Sequence, residues 1–228
     1  MSSNLVKISA LLIFTSTLTT GCIIHVGSDG HGGHNNGDVS SVFGRLEVGK
    51  GKQVGDVSSV NGGVTILDHV SAEEVDSVNG NIEIGSNVSV DSVETVNGSI
   101  ETGHNFIAQG SISAVNGNIS ILADSTIDGD ISTVNGDIKL NKVTVGADIN
   151  THNGSIYLTN NSVVSGNIVY EARDTNSWGW ARDNDKTPTL KIDESSNVQG
   201  KIILNRKVRL EIKSSALREK VELRYLDK

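Results

Sequence analysis

An asparagine–glycine pair recurs at Asn61, Asn79, Asn97, Asn116, Asn135 and Asn153, at intervals of 18, 18, 19, 19 and 18 residues. Phe43-Gly44 stands 18 residues ahead of the first pair. A fixed period of this length, sustained over so much of a 228-residue chain, means stacked supersecondary units rather than one globular core. The units read alike: DVSSVNGGVTI over 56–66, EVDSVNGNIEI over 74–84 and DISTVNGDIKL over 130–140. A second glycine corner stands seven residues before many of the corner glycines, with Gly37, Gly55, Gly110 and Gly129 ahead of Gly44, Gly62, Gly117 and Gly136.

Between the corners the apolar residues are mostly valine and isoleucine in short alternating runs, which is strand material, and no stretch has a helical period. Val42, Val48, Val54, Val60, Ile66, Ala72, Val78, Ile84, Val90 and Val96 follow one another every six residues. Three faces of about six residues close one coil, which predicts an all-β fold: a parallel β-helix of about eight 18–19-residue coils. In a narrow interior of this kind large rings do not fit, in keeping with an aromatic content of 4%. Asn and Gly tolerate positive φ, so the Asn-Gly pairs are expected to turn the chain there. Stacking would then place the six asparagines one above another as a hydrogen-bonded ladder.

The repeats occupy 38–170. Before them, residues 1–21 form an apolar stretch from Ile8 to Thr20 behind a lone Lys7, too short to span a bilayer and of signal-peptide length. The segment ends Thr19-Thr20-Gly21-Cys22, which resembles the lipobox of bacterial lipoproteins. That resemblance implies cleavage between Gly21 and Cys22, acylation of Cys22, the only cysteine, and a membrane anchor. Ile23 follows it rather than aspartate, which favours the outer membrane; periplasmic or surface face is left open. Residues 22–37 are glycine-rich and read as a tether. His25, His31 and His34 within it are close enough to share a metal ion, but nothing in such a segment would hold the imidazoles in place, and no metal or cofactor is expected.

After 170 the pattern changes. Residues 171–190 interrupt the period and hold both tryptophans. Trp178, Trp180, Arg173 and Arg182 are types enriched at binding hot spots, and they serve either as a contact surface or as a cap on the last coil. Residues 191–228 resume one coil and end in alternating apolar and charged residues expected to cap the stack. Charge is segregated: residues 53–170 carry 14 acidic and two basic residues, and 171–228 carry 10 acidic and 13 basic.

The S-V-N-G-x-I unit behind a lipoprotein signal resembles the adhesin-type solenoid family that includes head-GIN domains, over about residues 38–212. The resemblance implies a single-stranded, right-handed β-helix and an adhesive role, and carries over no catalytic residue. A lesser resemblance is to bactofilins, polymerising β-helices of similar coil length.

Composition and spacing also exclude chemistry. A net charge of −8 argues against a nucleic-acid partner. Glycan-cleaving β-helices gather carboxylates with a nearby Lys or Arg, whereas Lys139 and Lys142 are the only bases between 53 and 170. Asp38, Asp56 and Asp130 share a repeat position, as duplication alone produces. Ser92, Ser111, Asn167 and Lys201 interrupt that column, which argues against calcium. His152 falls on the six-residue register and is expected in the core. The expectation is therefore a non-enzymatic, lipid-anchored envelope solenoid, structural or adhesion-type, whose partners are the membrane and an envelope protein or glycan. The alternatives are a self-assembling envelope scaffold and, third, a glycan-active enzyme. Oligomeric state is left open.

Overall fold

The structure, a computed structural model, describes residues 24–26, 37–172 and 187–225. It is a parallel β-solenoid of about nine turns of ~19 residues. Three sheets run along its length, each built from one strand per coil. Sheet I has ten strands, from Ile24–Val26 and Leu46–Val48 through to Thr189–Ile192 and Arg209–Ile212. Sheet II also has ten, from Val39–Phe43 to Val221–Leu223, and sheet III has six, from Ser89–Val90 to Asn197–Val198. Ten strands spaced ~4.8 Å apart give a rod roughly 40 Å long.

The core is a column of Val, Ile and Leu that alternates inward with outward polar positions. In sheet I each three-residue strand buries its outer two residues and presents the middle one, as in Leu46-Glu47-Val48 and Ile82-Glu83-Ile84. In sheet II, Val57, Val75, Val93, Ile112, Ile131 and Ile149 are buried, and the next inward place is small, a hydroxyl residue at Ser59, Ser77, Thr95, Thr133 and Thr151 and an alanine at Ala114. Most of those hydroxyls find a partner in the interior, and Ser59 Oγ is the one that does not. Ser77, Thr95 and Thr133 donate to the corner carbonyls of Gly62, Gly80 and Gly117 at 3.2–3.3 Å, which offsets the cost of burying them.

Several expectations are corrected. Every third member of the six-residue series faces outward: Val42 is exposed, and Val60, Val78 and Val96 are half-buried on the outside of sheet II. The strand alternates by two, so with Val57 and Ser59 inside, Val60 must point out. His152 belongs to that same outer position and is exposed, not a core histidine. Within the stretch expected as tether, Ile24–Val26 forms a strand parallel to Leu46–Val48, as two β-branched residues allow. The tail supplies the carboxyl-terminal strands that its alternation leads one to expect, Arg209–Ile212 in sheet I and Val221–Leu223 in sheet II.

The Asn-Gly corner also works differently from expectation. Gly44 is the only residue of this column with positive φ, at 95°. The later glycines are required by close approach: a Cβ on Gly98 would lie 2.0 Å from the Gly80 oxygen, and one on Gly117 1.7 Å from the Gly98 oxygen. Positive φ is used at another corner, in the column Gly51, His69, Asn87, Asn105, Asp124, Lys142 and Asn161, with φ between 54° and 72°.

Candidate interaction surfaces

The predicted asparagines form one continuous ladder. Each Nδ2 donates to the Oδ1 of the asparagine one coil earlier, from Asn79 to Asn61 at 3.0 Å, then Asn97 at 2.9 Å, Asn116 at 3.0 Å, and Asn135 and Asn153 at 2.8 Å. In-register stacking of identical strand ends forces these amides into bonding distance. The upper end of the ladder needs a donor, since no asparagine follows Asn153 at this corner. The guanidinium of Arg206 supplies it, with Nη1 donating to Asn153 Oδ1 at 2.5 Å and to the His152 carbonyl. Arg206 is 6% exposed. Only its place in a mostly apolar strand-end sequence could have flagged it.

The recurring acidic positions also join coils. Asp56 N–H donates to Asp38 Oδ1 at 3.2 Å, Asp148 N–H to Asp130 Oδ1 at 2.9 Å, and Asn167 N–H to Asp148 Oδ1 at 2.6 Å. Two of the residues that interrupt the carboxylate column keep the same role, with Ser111 accepting from Asp130 N–H and Asn167 from Lys201 N–H. A parallel column runs through Asn81, Ser99, Asn118, Asp137 and Ser155, each accepting the N–H one coil on. What this position needs is a short side-chain acceptor, so Asp, Asn and Ser interchange there. Among the described residues no three His, Cys, Asp or Glu gather as a metal ligand set.

Two of the places where carboxylate titration is shifted lie on sheet II and at the carboxyl end. On sheet II, Asp76 and Glu94 are neighbours in register. Burial, with Glu94, Glu74 and Asp56 crowding it, pushes Asp76 up to about 6, and burial with Glu74 nearby raises Glu94. The pair sits on the outward side of sheet II. At the carboxyl end the Lys201 and Arg224 partners hold Glu222 below its ordinary value.

The outward rank of sheet I is the most varied surface. In strand order it reads Glu47, Thr65, Glu83, Glu101, Ser120, Lys139, Tyr157, Lys191 and Glu211. Acidic residues fill its first half, and two lysines flank a tyrosine in the second. Beside the acidic half runs a groove of about 340 Å³ along Leu67, Gly85 and Gly103. Leu122, 38% exposed, stands on the same flank one coil beyond Gly103.

The ends differ. The carboxyl end carries the helix Ser215–Arg218, capped by Ser214, with Leu217 buried against the core. Lys220 Nζ donates to the carbonyls of Val198 and Gln199 at 2.7 and 3.0 Å, covering the edge of sheet III. At the amino end Val42 and Phe43 are exposed. Gly21, Cys22, His31, His34, Arg173, Trp178, Trp180 and Arg182 lie outside the described residues, as does the side chain of His25.

Fold and surfaces together define the class: a parallel β-solenoid whose polar columns are spent on joining its coils. No family model, curated protein or solved structure matches the chain.

Proposed function

We propose that this chain is a lipid-anchored rod of the bacterial outer membrane, a non-enzymatic structural or adhesion-type binding module of the adhesin-like solenoid kind. The observation that carries this reading is the use of the recurrent carboxylates and amides as coil-to-coil acceptors. Groups so engaged build a stiff spacer and leave flat faces for contact. The anchor part rests on Thr19-Thr20-Gly21-Cys22 behind a short apolar stretch. Cys22 holds the lipid, the rod begins two residues later with the strand Ile24–Val26, so its amino end sits close to the bilayer, and the rod offers its faces to an envelope protein or glycan. Several acyl chains on one cysteine, at ~0.8 kcal/mol per buried methylene, make such anchoring stable. The role of Trp178, Trp180, Arg173 and Arg182 within this reading is contact.

The test is metabolic labelling with an alkyne palmitate analogue in a bacterial host, followed by membrane fractionation. Label in the outer-membrane fraction that disappears in Cys22→Ser is expected. Label retained in Cys22→Ser, or none in the parent chain, defeats the anchor. Trp178→Ala with Trp180→Ala then separates contact from capping: lost retention on envelope fragments at unchanged melting temperature supports contact, and lowered melting supports a cap.

A further inference from the structure

The rank on sheet I has an internal antisymmetry. Divide it between Glu101 and Ser120 and pair positions outward from that line. Glu101 is matched with Ser120, Glu83 with Lys139, Thr65 with Tyr157, and Glu47 with Lys191. Each lysine thus falls at the mirror position of a glutamate, and the one aromatic falls opposite a threonine. We infer that sheet I is a self-complementary face on which a second copy of this chain docks, with the two rods side by side and antiparallel.

The geometry follows from a two-fold axis lying in the interface along the strand direction, through the line between Glu101 and Ser120. That operator reverses the order of coils while keeping strand direction, so it superposes each position on its mirror position in the other copy. Lys139 of one copy meets Glu83 of the other, and Lys191 meets Glu47, each pair occurring twice. The competing arrangement, with the rods parallel, sets each residue against its own copy. It brings Glu83, Glu101, Lys139 and Lys191 each against its like, which charge repulsion opposes. The sequence of charges therefore selects the antiparallel form.

A second observation fits the same operator. Residues just after each sheet I strand form a flank, and the axis places flank on flank. Leu122, exposed, is carried onto Gly103 of the other copy, where the groove along Gly85 and Gly103 lies open. An apolar side chain thus meets a shallow cleft lined by glycine, once in each direction.

Glu47 is engaged within its own chain, whereas the lysines and Glu83 are less committed. Among the described residues neither Lys139 nor Lys191 has an ion-pair partner, although Glu211 neighbours Lys191 in register and pairs instead with Arg209 at 3.2 Å. Glu83 has one partner, Arg45, at 3.7 Å with both side chains about half exposed, which is worth little in water. From Glu47 to Lys191 the rank spans seven strand spacings, about 34 Å, and with a width of about 15 Å it buries roughly 1,000 Å² in total. That is the low end for a specific interface, so a reversible, salt-sensitive dimer is expected.

The test is sedimentation velocity of the full chain in non-ionic detergent, at low and high salt, up to about 1 mM. A concentration-dependent dimer is expected, weakened about tenfold or more by Lys139→Glu and likewise by Glu83→Lys. The chain carrying both changes is expected to dimerise again, because each swapped pair is restored across the axis. Circular dichroism melting of each single variant should stay at the parent value, which separates lost docking from lost folding. Three results overturn the inference: a monomer at every concentration, a dimer indifferent to both single swaps, or a double variant as weak as the singles. A monomer that instead retains an anionic polysaccharide through Lys139, Tyr157 and Lys191 assigns the face to glycan and equally overturns it. None of these outcomes bears on Cys22, so the anchor stands or falls separately.

Discussion

The shaft and the carboxyl end join strands by different chemistry. Inside the shaft, coils are tied by neutral or short acceptors: asparagine amides at one corner, and Asp, Asn and Ser oxygens at the others. Each coil provides both the acceptor for its successor and the donor for its predecessor, so no charge has to reach far. Towards the carboxyl end of the described residues the repeated acceptor columns stop. There, long cationic side chains fold back onto exposed acceptors: Arg206 onto Asn153 and His152, Arg218 Nε onto the Ile212 carbonyl at 2.7 Å, and Lys220 onto Val198 and Gln199. The basic excess after residue 171 is thus the mark of a terminus. Repetition closes its own hydrogen bonds; an end must import donors.

That contrast can be broken hardest in the shaft. Gly117→Ala sets a Cβ 1.7 Å from the Gly98 oxygen and must push two coils apart, costing about 3 kcal/mol or more. Urea unfolding should show this, with Gly37→Ala, where a Cβ meets nothing within 4 Å, as the silent control. A Gly117→Ala midpoint equal to the parent's would remove close stacking as the reason for the glycine column. At the end, Arg206→Met keeps the side chain's bulk but removes the donor that closes the ladder, for an expected loss of about 2 kcal/mol in the same measurement. An effect no larger than that of an interior rung would mean the terminus needs no special donor.

Interior rungs should matter less one at a time. Asn116→Ala breaks two exposed amide bonds, at 3.0 and 2.8 Å, and is expected to cost about 1 kcal/mol. The smallest effect is a gain. Asp76 titrates at about 6 when folded, above its unfolded value of 3.8, so the folded state binds its proton more tightly. The penalty from this group is complete above pH 6 and fades as pH falls towards 4, so its contribution to stability rises on acidification. Screening at a partly exposed site reduces it to less than about 1 kcal/mol. Asp76→Asn should raise the melting temperature slightly at pH 7 and flatten its pH dependence between 4 and 6; a steeper dependence would contradict the crowding of Asp76 by Glu94, Glu74 and Asp56.

The regularity that made the solenoid legible also hid its details. The Asn-Gly period and the Val/Ile alternation specify coil length, parallel stacking and the asparagine ladder, because each follows from spacing alone. Spacing does not say why a residue is there. Glycine at a corner reads equally as positive φ or as close approach, and only the distance to the coil beneath separates them. A six-residue register assumes that every face has the same phase, whereas the sheet II strands run long enough for Val60, Val78 and Val96 to alternate outward. Arg206 escaped notice because its partner Asn153 lies 53 residues earlier, a separation that no repeat unit contains.

The constant distance between bonded coils has a kinetic meaning. Throughout the shaft each strand finds its partner 18 or 19 residues away, so every added coil closes a loop of the same small size on a template already in place. Growth of the rod resembles a zipper whose teeth are evenly cut. At one tooth the gap widens: Ile156 pairs with Leu190, and the backbone N–H of Thr189 reaches Ser155 across 34 residues. Closing that larger loop costs only about 0.6 kcal/mol more in chain entropy. Its greater effect is on timing, since the turns beyond Thr189 gain their template only after that loop has closed. The segment between 173 and 186 therefore divides assembly into an early shaft and a late end, whatever else its tryptophans do.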